Sequence, residues 1–290
     1  MTKRAILLGV LLVVSVSAAA QEQLAVEWEE LTAPEFIHAI DRSGATCMLP
    51  FGIVEKHGPH LPLGTDLINV RRVSLDAARQ EYAIVFPAYF FGQIFEAQHE
   101  PGAIAYSLDL QLKLLQETVS EMARNGCKKI LIVNGHGGNE SLLPLFAQSQ
   151  LASPRDYAVY ILGLPNLDQP GRPAQRSAED MHAGATETSH MMVSRPELVH
   201  MDRARTESGA DQARLQLPER VYTAIWWYAR FPDHFAGDPA SATVELGAFD
   251  MKLWSEQIAS AVRAIKADRE TLMLQNEFFE RSKHPLKTAQ

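Results

Sequence analysis

Two acidic and two imidazole side chains lie within the fifteen residues GIVEKHGPHLPLGTD, which contain Glu55, His57, His60 and Asp66. Carboxylates and neutral imidazoles are the ligands that Zn²⁺, Mn²⁺ and Fe²⁺ take from proteins, and one carboxylate can bridge two ions. The spacing differs from the helical H-E-x-x-H motif, so a metal here would be bound by a loop. The alternative is a solvated loop in which Glu55 pairs with the adjacent lysine. The apolar strings MLPFGIV and LPLG favour a loop packed on the core.

Two further clusters carry the same residue types. The string LIVNGHGGNE places His136 in a turn whose glycines permit positive φ and close approach to a ligand. The string EDMHAGATETSHMM contributes His182 and Glu187. Each has a plainer explanation, because His136 could bond its own loop and Glu187 could be a first-turn acid favoured by the helix dipole. Taken singly, neither cluster decides between a structural and a functional role.

Short apolar runs alternate with helical patterns, which is typical of βαβ units and a mainly parallel sheet. Helices are predicted at 66–82, at 107–126 and at 245–274. In an open α/β sheet the ligand site lies beyond the carboxyl ends of the strands. The three clusters follow the first, third and fourth predicted strands, so the fold should bring them together. The strands are predicted near Ala45, Tyr82, Lys129 and Tyr157.

The composition is that of a globular protein. Of 290 residues, 46% are hydrophobic and 21% charged, and the length suits a single α/β domain. The formal net charge of −8 argues against a nucleic-acid partner, which would require a basic face.

The first twenty residues, MTKRAILLGVLLVVSVSAAA, have the pattern of a secretory signal peptide. A basic start is followed by about a dozen apolar residues and an Ala-x-Ala site, which predicts cleavage between Ala20 and Gln21. A membrane anchor is the alternative, but a bilayer span needs about 20 apolar residues. The predicted organisation is therefore a signal peptide at 1–20 and one domain at 21–290, in an exported protein that is periplasmic or secreted.

The chain has only two cysteines, Cys47 and Cys127, and both lie in or beside apolar runs. In an oxidising compartment they could form a disulfide. The local patterns resemble core, so two buried free thiols are the favoured interpretation.

Taken together and in this order, the strings LPFGIVEKHGPHLPLGTD, VNGHGGN and HAGATETS resemble the creatininase (creatinine amidohydrolase) family. The strings WEELTAPEFIHAI, QHEPGAIAYS and FAGDPASATVELG add to the resemblance, which runs from about Trp28 to about Lys266. It implies a single-domain, three-layer αβα fold with a mainly parallel sheet, a homo-oligomer that is often a hexamer, and a dinuclear metal centre that hydrolyses amide C–N bonds.

Carried over by motif, the resemblance implies that Asp66 bridges two divalent ions (Zn, Mn or Fe) and that His182 protonates the leaving nitrogen. Creatininases have a glutamate two residues after the histidine of the glycine string, where this chain has Gly138. The departure matches an amidohydrolase branch in which Glu187 is the remaining ligand and also a catalytic residue, and it argues against creatinine as substrate. The implied ligands are Glu55, His57, Asp66, His136 and Glu187, and the expected supporting or substrate-facing residues are His60, His99, Asn134 and Asn139.

The leading hypothesis is therefore a metal-dependent amidohydrolase that cleaves a linear or cyclic C–N amide bond of a small molecule with a metal-activated water. The alternatives are a peptidase that processes a modified peptide and a non-catalytic periplasmic metal- or solute-binding protein on the same fold. No membrane partner is expected beyond the export signal. Trp226 and Trp227 are expected in the core or a subunit interface more than in a pocket, and the remaining histidines are expected to be structural or superficial: His38, His190, His200, His234 and His284.

Overall fold

The computed structural model describes residues 24–174 and 180–287 of the chain. In chain order its elements are α1 (Ala33–Arg42), β1 (Thr46–Phe51), α2 (Thr65–Gln80), β2 (Ile84–Val85), α3 (Leu108–Arg124), β3 (Lys129–Asn134), α4 (Asn139–Ser149), β4 (Ala158–Leu162), β5 (Asp180–His182), α5 (Ala185–Ser194), α6 (Trp226–Arg230), β6 (Ala236–Gly237), α7 (Val244–Ala267) and α8 (Glu270–Ser282).

Strands β1 to β4 form one parallel sheet in the order β2-β1-β3-β4, and β5 pairs with β6 in a separate antiparallel ribbon. Helices α1, α3 and α4 pack on one face of the large sheet, and α2 and α7 pack on the other. The predicted α/β fold with a mainly parallel sheet between helical layers is therefore confirmed.

The central strands are apolar on both faces because each face is covered by helices. Cys47, Leu49 and Phe51 of β1 point toward α1, α3 and α4, whereas Met48 points toward α2 and α7. All residues of β1 and β3 are buried. This two-sided burial explains why both strands are near-continuous apolar runs in the sequence rather than alternating ones.

The register of the sheet aligns the ends of its central strands. Phe51, the last residue of β1, pairs with Asn134, the last residue of β3. The loops that follow these strands therefore begin side by side, at the edge where the sequence predicts a ligand site.

Helix α2 approaches that edge closely because glycines follow both central strands. A Cβ at Gly52 would lie 2.5 Å from the Cα of Leu67, and a Cβ at Gly135 would lie 2.5 Å from the Cβ of Val70. Any larger residue at either position would push α2 away. The two glycines thus allow the first turn of α2, which carries Asp66, to rest directly on the strand ends.

The helix predicted at 245–274 is interrupted, and the prediction of one continuous element is wrong. The carboxylate of Asp268 accepts hydrogen bonds from the backbone N–H groups of Glu270 and Thr271, at 2.8 and 3.2 Å. The Lys129 ammonium donates to three backbone oxygens at the end of α7. These two side chains satisfy the backbone groups of both helix ends, so the chain turns between α7 and α8.

The two cysteines form a disulfide, so the expectation of free thiols is wrong. Cys47 and Cys127 are both fully buried, as their apolar surroundings predict, and their Cα atoms are 5.8 Å apart. Their positions 80 residues apart in the chain conceal this proximity, which arises because the start of β1 lies beside the start of β3.

The predicted signal peptide lies outside the described residues and stays a prediction. Within residues 24–174 and 180–287, none of the helices combines the length and the apolar character that a bilayer span requires.

Removal of the disulfide is expected to destabilise the protein. Closure of an 80-residue loop lowers the entropy of the unfolded chain, which corresponds to about 4 kcal/mol of stability. The double variant Cys47→Ala/Cys127→Ala should unfold at a clearly lower urea concentration than the oxidised protein. Wild-type protein unfolded with a reductant is the matched control and should approach the variant. Equal midpoints for the oxidised and reduced wild type would contradict the prediction.

Candidate metal centre

Six potential ligands meet beyond the carboxyl ends of β1 and β3. Within each of three overlapping groups, one ligand atom from each residue lies within 4.8 Å of the others. The six are the residues for which metal binding or catalysis is predicted from the sequence, and the tertiary structure brings all of them together. The groups are Glu55–Asp66–His136, His57–Asp66–Glu187 and Glu55–His57–His182.

In the first group, Nδ1 of His136 lies 2.8 Å from Oε1 of Glu55 and 2.9 Å from Oδ2 of Asp66. Nε2 of the same ring is 3.0 Å from the backbone oxygen of Gln93, which can only accept, so Nε2 carries a hydrogen. In the neutral ring, Nδ1 therefore directs a lone pair at two carboxylate oxygens. Both oxygens are buried without a hydrogen-bond partner among the described residues. Positive charge, either a proton or a metal cation, is required between these atoms.

The second group repeats this arrangement on the other side of Asp66. Nε2 of His57 lies 3.0 Å from Oδ1 of Asp66 and 3.8 Å from Oε2 of Glu187. Nδ1 of His57 is 3.3 Å from the backbone oxygen of Glu55, which assigns the ring hydrogen to Nδ1. Asp66 thus presents one oxygen to each group, which is the geometry of a bridging carboxylate.

His182 is oriented by the same kind of backbone contact. Its Nε2 donates to the backbone oxygen of Lys56 at 2.8 Å, and its Nδ1 faces Oε2 of Glu187 at 3.8 Å. Its ring packs against that of His57, with the centroids 4.4 Å apart. In their neutral forms His57, His136 and His182 therefore each donate one ring N–H to a carbonyl and leave a lone pair toward the centre, as metal-binding histidines commonly do.

The electrostatics of the two carboxylate-facing histidines favour positive charge at the centre. Burial opposes protonation of His57, but the carboxylates of Asp66 and Glu187 outweigh it and raise the pKa of His57 to about 10. In the same way burial is outweighed at His136 by Glu55 and Asp66, and the pKa of His136 lies well above its ordinary value. A divalent cation would satisfy the same carboxylates and displace these protons.

Burial is the largest cause of the pKa shifts of Glu187 and His182. Burial, together with the nearby carboxylate of Asp66, raises the pKa of Glu187 to about 7. Burial, together with the rings of His57 and His234, holds the pKa of His182 well below its ordinary value against the attraction of Glu55. His182 is therefore neutral at physiological pH, with a lone pair on Nδ1.

Gly138 leaves no room for the glutamate that creatininases carry at the matching position. A Cβ at Gly138 would lie 2.5 Å from Nε2 of His136 and 3.0 Å from the backbone oxygen of Gln93. It would break the contact that orients the His136 ring. In this chain the carboxylate beside His57 comes instead from Glu187, in the first turn of α5, where the backbone N–H of Ala183 donates to it at 2.6 Å.

The two asparagines expected near the site support the His136 loop. Oδ1 of Asn134 accepts the backbone N–H of His136 at 3.2 Å and a side-chain N–H of Asn139 at 3.3 Å. Oδ1 of Asn139 accepts the backbone N–H of Gln93 at 3.1 Å. Together they hold both the His136 ring and the carbonyl that orients it.

His60 and His99, the two histidines expected to support the site or face the substrate, differ in burial and in their contacts. His60 is buried, and its Nε2 lies 2.9 Å from Oγ1 of Thr188. Burial lowers the pKa of His60 to about 4. His60 is therefore neutral and links the loop between β1 and α2 to α5. His99 is partly exposed and donates to the backbone oxygen of Pro232 at 2.7 Å, with its ring edge-on to Tyr228. Apart from the adjacent Glu100, 3.5 Å from Nε2, its described contacts are with the 228–232 segment rather than with the six clustered residues.

His234 is buried beside the centre. It is therefore not superficial, and its contacts with the site go beyond the structural role expected from the sequence. Its Nε2 lies 2.5 Å from Oε2 of Glu55, and its Nδ1 accepts the indole N–H of Trp227 at 2.8 Å. Trp227 is therefore next to the site, and the expectation of a subunit interface stays a prediction. Neither residue lies in a recognisable motif, and only their closeness to the string FAGDPASATVELG could have drawn attention to them.

A cavity of about 190 Å³ opens beside Asp66, His182 and Glu187. Its other walls are mixed. The apolar side chains come from Leu164, Pro165, Leu167, Met181 and Trp254, and the polar ones from Asn69, Asp180, Thr186 and His190. The centre is thus accessible to a small molecule through a partly apolar opening.

Comparisons with known proteins agree with the fold and identify the family. The family model for creatininase (creatinine amidohydrolase) matches residues 29–262. Creatinine amidohydrolase of Pseudomonas putida is 26% identical over 259 residues, covering 81% of this chain and 95% of that protein. Mycofactocin precursor peptide peptidase of Mycobacterium ulcerans is 29% identical over 227 residues, covering 75% and 83%.

Among solved structures, a mutant creatininase of the Zn-Zn type superimposes with a TM-score of 0.67 at 23% identity, covering 83% of this chain and 98% of that one. At this identity the likeness concerns the fold. The family model matches residues 29–262, a range that contains the six clustered residues. The imidazole nitrogens and buried carboxylate oxygens of the site are ligand atoms that suit a divalent metal. The chain belongs to the creatininase family of amidohydrolases.

Proposed function

We propose that this protein is an exported amidohydrolase that uses two divalent cations to hydrolyse a C–N amide bond of a small molecule. The observation that carries the proposal is Asp66, whose two oxygens face two separate imidazole nitrogens at 2.9 and 3.0 Å. Glu55 and His136 would complete one cation site, and His57 and Glu187 the other. Three carboxylates against two dications would leave the centre net positive and able to attract an electron-rich carbonyl.

When bound, the cations would lower the pKa of a water molecule and polarise the scissile carbonyl. The protein supplies the proton transfers. Nδ1 of neutral His182 can accept the proton of the attacking water and return it to the departing nitrogen, as a general base and then a general acid. The backbone oxygen of Lys56 holds the other ring nitrogen, so the imidazole keeps its orientation during both steps. The carboxylate of Glu187, 3.8 Å from the same Nδ1, can stabilise the imidazolium that forms between them.

The identities of the metal and of the substrate are narrower proposals. Zn²⁺, Mn²⁺ and Fe²⁺ all accept a mixed imidazole and carboxylate shell, and a Zn-Zn creatininase among the structural neighbours supports two metal ions. The cavity of about 190 Å³ favours a compact amide. Creatinine is a poor candidate because Gly138 replaces the family glutamate. The hexamer implied by the resemblance stays a prediction.

Peptide processing is the second candidate function. It is favoured by the mycofactocin precursor peptide peptidase, which matches three quarters of this chain. A peptide substrate would place only one or two side chains in the cavity and extend its chain outside. A non-catalytic metal-binding role is the remaining alternative, and turnover distinguishes it from both.

The deciding experiment is a hydrolysis screen of the mature protein loaded with Zn²⁺ or Mn²⁺. Creatinine, lactams, formamides and short peptides serve as substrates, and amine release is measured. Turnover of small amides supports the leading proposal, and turnover of peptides alone supports the second. A metal-loaded protein that releases amine from none of these compounds would favour the binding role.

Asp66→Asn is expected to abolish the dinuclear centre. The amide keeps the shape of the side chain but removes the charge that faces both imidazoles, so metal affinity should fall at least about 100-fold and turnover should be lost. Metal content by elemental analysis is the measurement. Asp76→Asn on the exposed face of the same helix is the matched control and should retain metal. Two retained metal equivalents in Asp66→Asn would contradict the ligand assignment.

His182→Gln tests the proton-transfer role. Because His182 supplies a proton acceptor rather than a shared carboxylate, kcat should fall about 10²- to 10⁴-fold while at least one metal equivalent is kept. Single-turnover kinetics and metal analysis separate the two effects. His38→Gln, on the exposed face of α1, should behave like the wild type. Unchanged kcat in His182→Gln would remove this residue from the mechanism.

If the protein is exported, removal of the signal peptide should shorten the chain at its N-terminus. Expressed in a bacterial host with its own N-terminus, the protein should be recovered from the periplasm or medium with Gln21 as its first residue and with the disulfide formed. Intact-mass spectrometry measures both features. A variant that lacks residues 2–20 should remain in the cytosol. Recovery of the full-length chain in the cytosol would contradict the localisation.

A further inference from the structure

The two oxygens of the Glu55 carboxylate have different surroundings. Oε1 faces Nδ1 of His136 at 2.8 Å and belongs to the proposed cation site, whereas Oε2 lies 2.5 Å from Nε2 of His234. Glu55 is fully buried and His234 is 2% exposed. The contacts with His136 and His234 therefore distinguish the two oxygens of this buried carboxylate.

The hydrogen on His234 is assigned by its other neighbour. The indole Nε1 of Trp227 is 2.8 Å from Nδ1 of His234, and an indole nitrogen can only donate. Nδ1 is therefore an acceptor, and in the neutral ring the hydrogen lies on Nε2. His234 must then donate to Glu55. It cannot bind the metal itself, because both of its ring nitrogens are already occupied.

The position of His234 is held by its backbone and by packing. Its φ is +47°, in the left-handed region that residues other than glycine rarely adopt. Its ring lies edge-on to His182, with centroids 4.6 Å apart, and 5.7 Å from the ring of Trp227. Strained backbone of this kind persists where surrounding contacts determine the conformation, and such positions concentrate at functional sites.

We propose that Trp227 and His234 are positioning residues for the metal centre. Trp227 selects the tautomer of His234, and His234 then holds Oε2 of Glu55 so that Oε1 alone is presented to the cation. This rests on the metal centre proposed above. Partners that orient a ligand in this way typically raise metal affinity about 10- to 100-fold. Both residues lie outside the sequence strings that resemble the family, so only the fold brings the pair to the centre.

The test uses Co²⁺ as the probe and Trp227→Phe as the main variant. Phenylalanine keeps an aromatic ring but removes the N–H, which frees His234 to place its hydrogen on either nitrogen. Co²⁺ affinity is expected to fall about 10-fold or more, and the visible absorption of the bound Co²⁺ should shift because Glu55 no longer binds in one orientation. Trp226→Phe is the matched control, since it removes a neighbouring indole whose ring contacts are with Trp227 and Arg230.

Two variants at His234 separate positioning from simple structural damage. His234→Gln keeps a side-chain N–H that can reach Glu55 and should retain most of the Co²⁺ affinity. His234→Ala removes the donor and should bind Co²⁺ more weakly than Trp227→Phe. The thermal midpoints of the metal-free proteins show whether each variant still folds. A folded Trp227→Phe protein with wild-type Co²⁺ affinity and spectrum would overturn this inference, whereas wild-type protein that binds no Co²⁺ would overturn the metal centre itself.

Discussion

Asp66 directs its two carboxylate oxygens at two different imidazoles, and the surrounding site depends on the positive charge which that arrangement requires. The oxygens lie 2.9 Å from Nδ1 of His136 and 3.0 Å from Nε2 of His57. Glu55 adds a further buried oxygen to the same region. Buried carboxylates and lone pairs this close repel one another unless cations or protons lie between them. The loop between β1 and α2, the glycines after the strands and the supporting hydrogen bonds hold these groups close together.

The parallel sheet supplies the rigid frame. Because β1 and β3 end in register, the loops that carry Glu55 and His136 start at neighbouring positions. Gly52 and Gly135 then let the first turn of α2 approach closely enough for Asp66 to reach both loops. The site is therefore a consequence of three local facts: the register of the sheet, the small residues after its strands, and an acid in the first turn of a helix.

Backbone carbonyls orient the histidines of the centre. Those of Gln93, Glu55 and Lys56 each occupy one ring nitrogen of a different imidazole, which directs the other nitrogen inward. At His234 the neighbour is a donor instead of a carbonyl. The indole N–H of Trp227 donates to Nδ1, so Nε2 carries the hydrogen and becomes the donor. His57 and His136 are thus proposed ligands, His182 the proposed proton-transfer group and His234 a proposed ligand holder, and the neighbours of each ring decide which of its nitrogens carries the hydrogen.

Much of the architecture could be predicted from local sequence. The apolar runs of β1 and β3 are continuous because both faces of the sheet are covered, and the clusters after them contain the residue types of a metal site. The break between α7 and α8 was missed because its causes are the Asp268 cap and the distant Lys129. Local helical periodicity does not register either of them.

The sequence by itself determined the fold class and, through the family resemblance, predicted the six residues that the fold brings together, because strand patterns and motif strings are local properties. Tertiary structure decided the rest. It joined Cys47 to Cys127 across 80 residues, excluded a side chain at Gly138, and brought His234, with Trp227 bound to it, to Glu55 from 179 residues away in the chain. These three features depend on distances between segments that are far apart in the chain, and only folding sets those distances. The role of a histidine likewise depends on which atoms contact its two ring nitrogens in the folded protein.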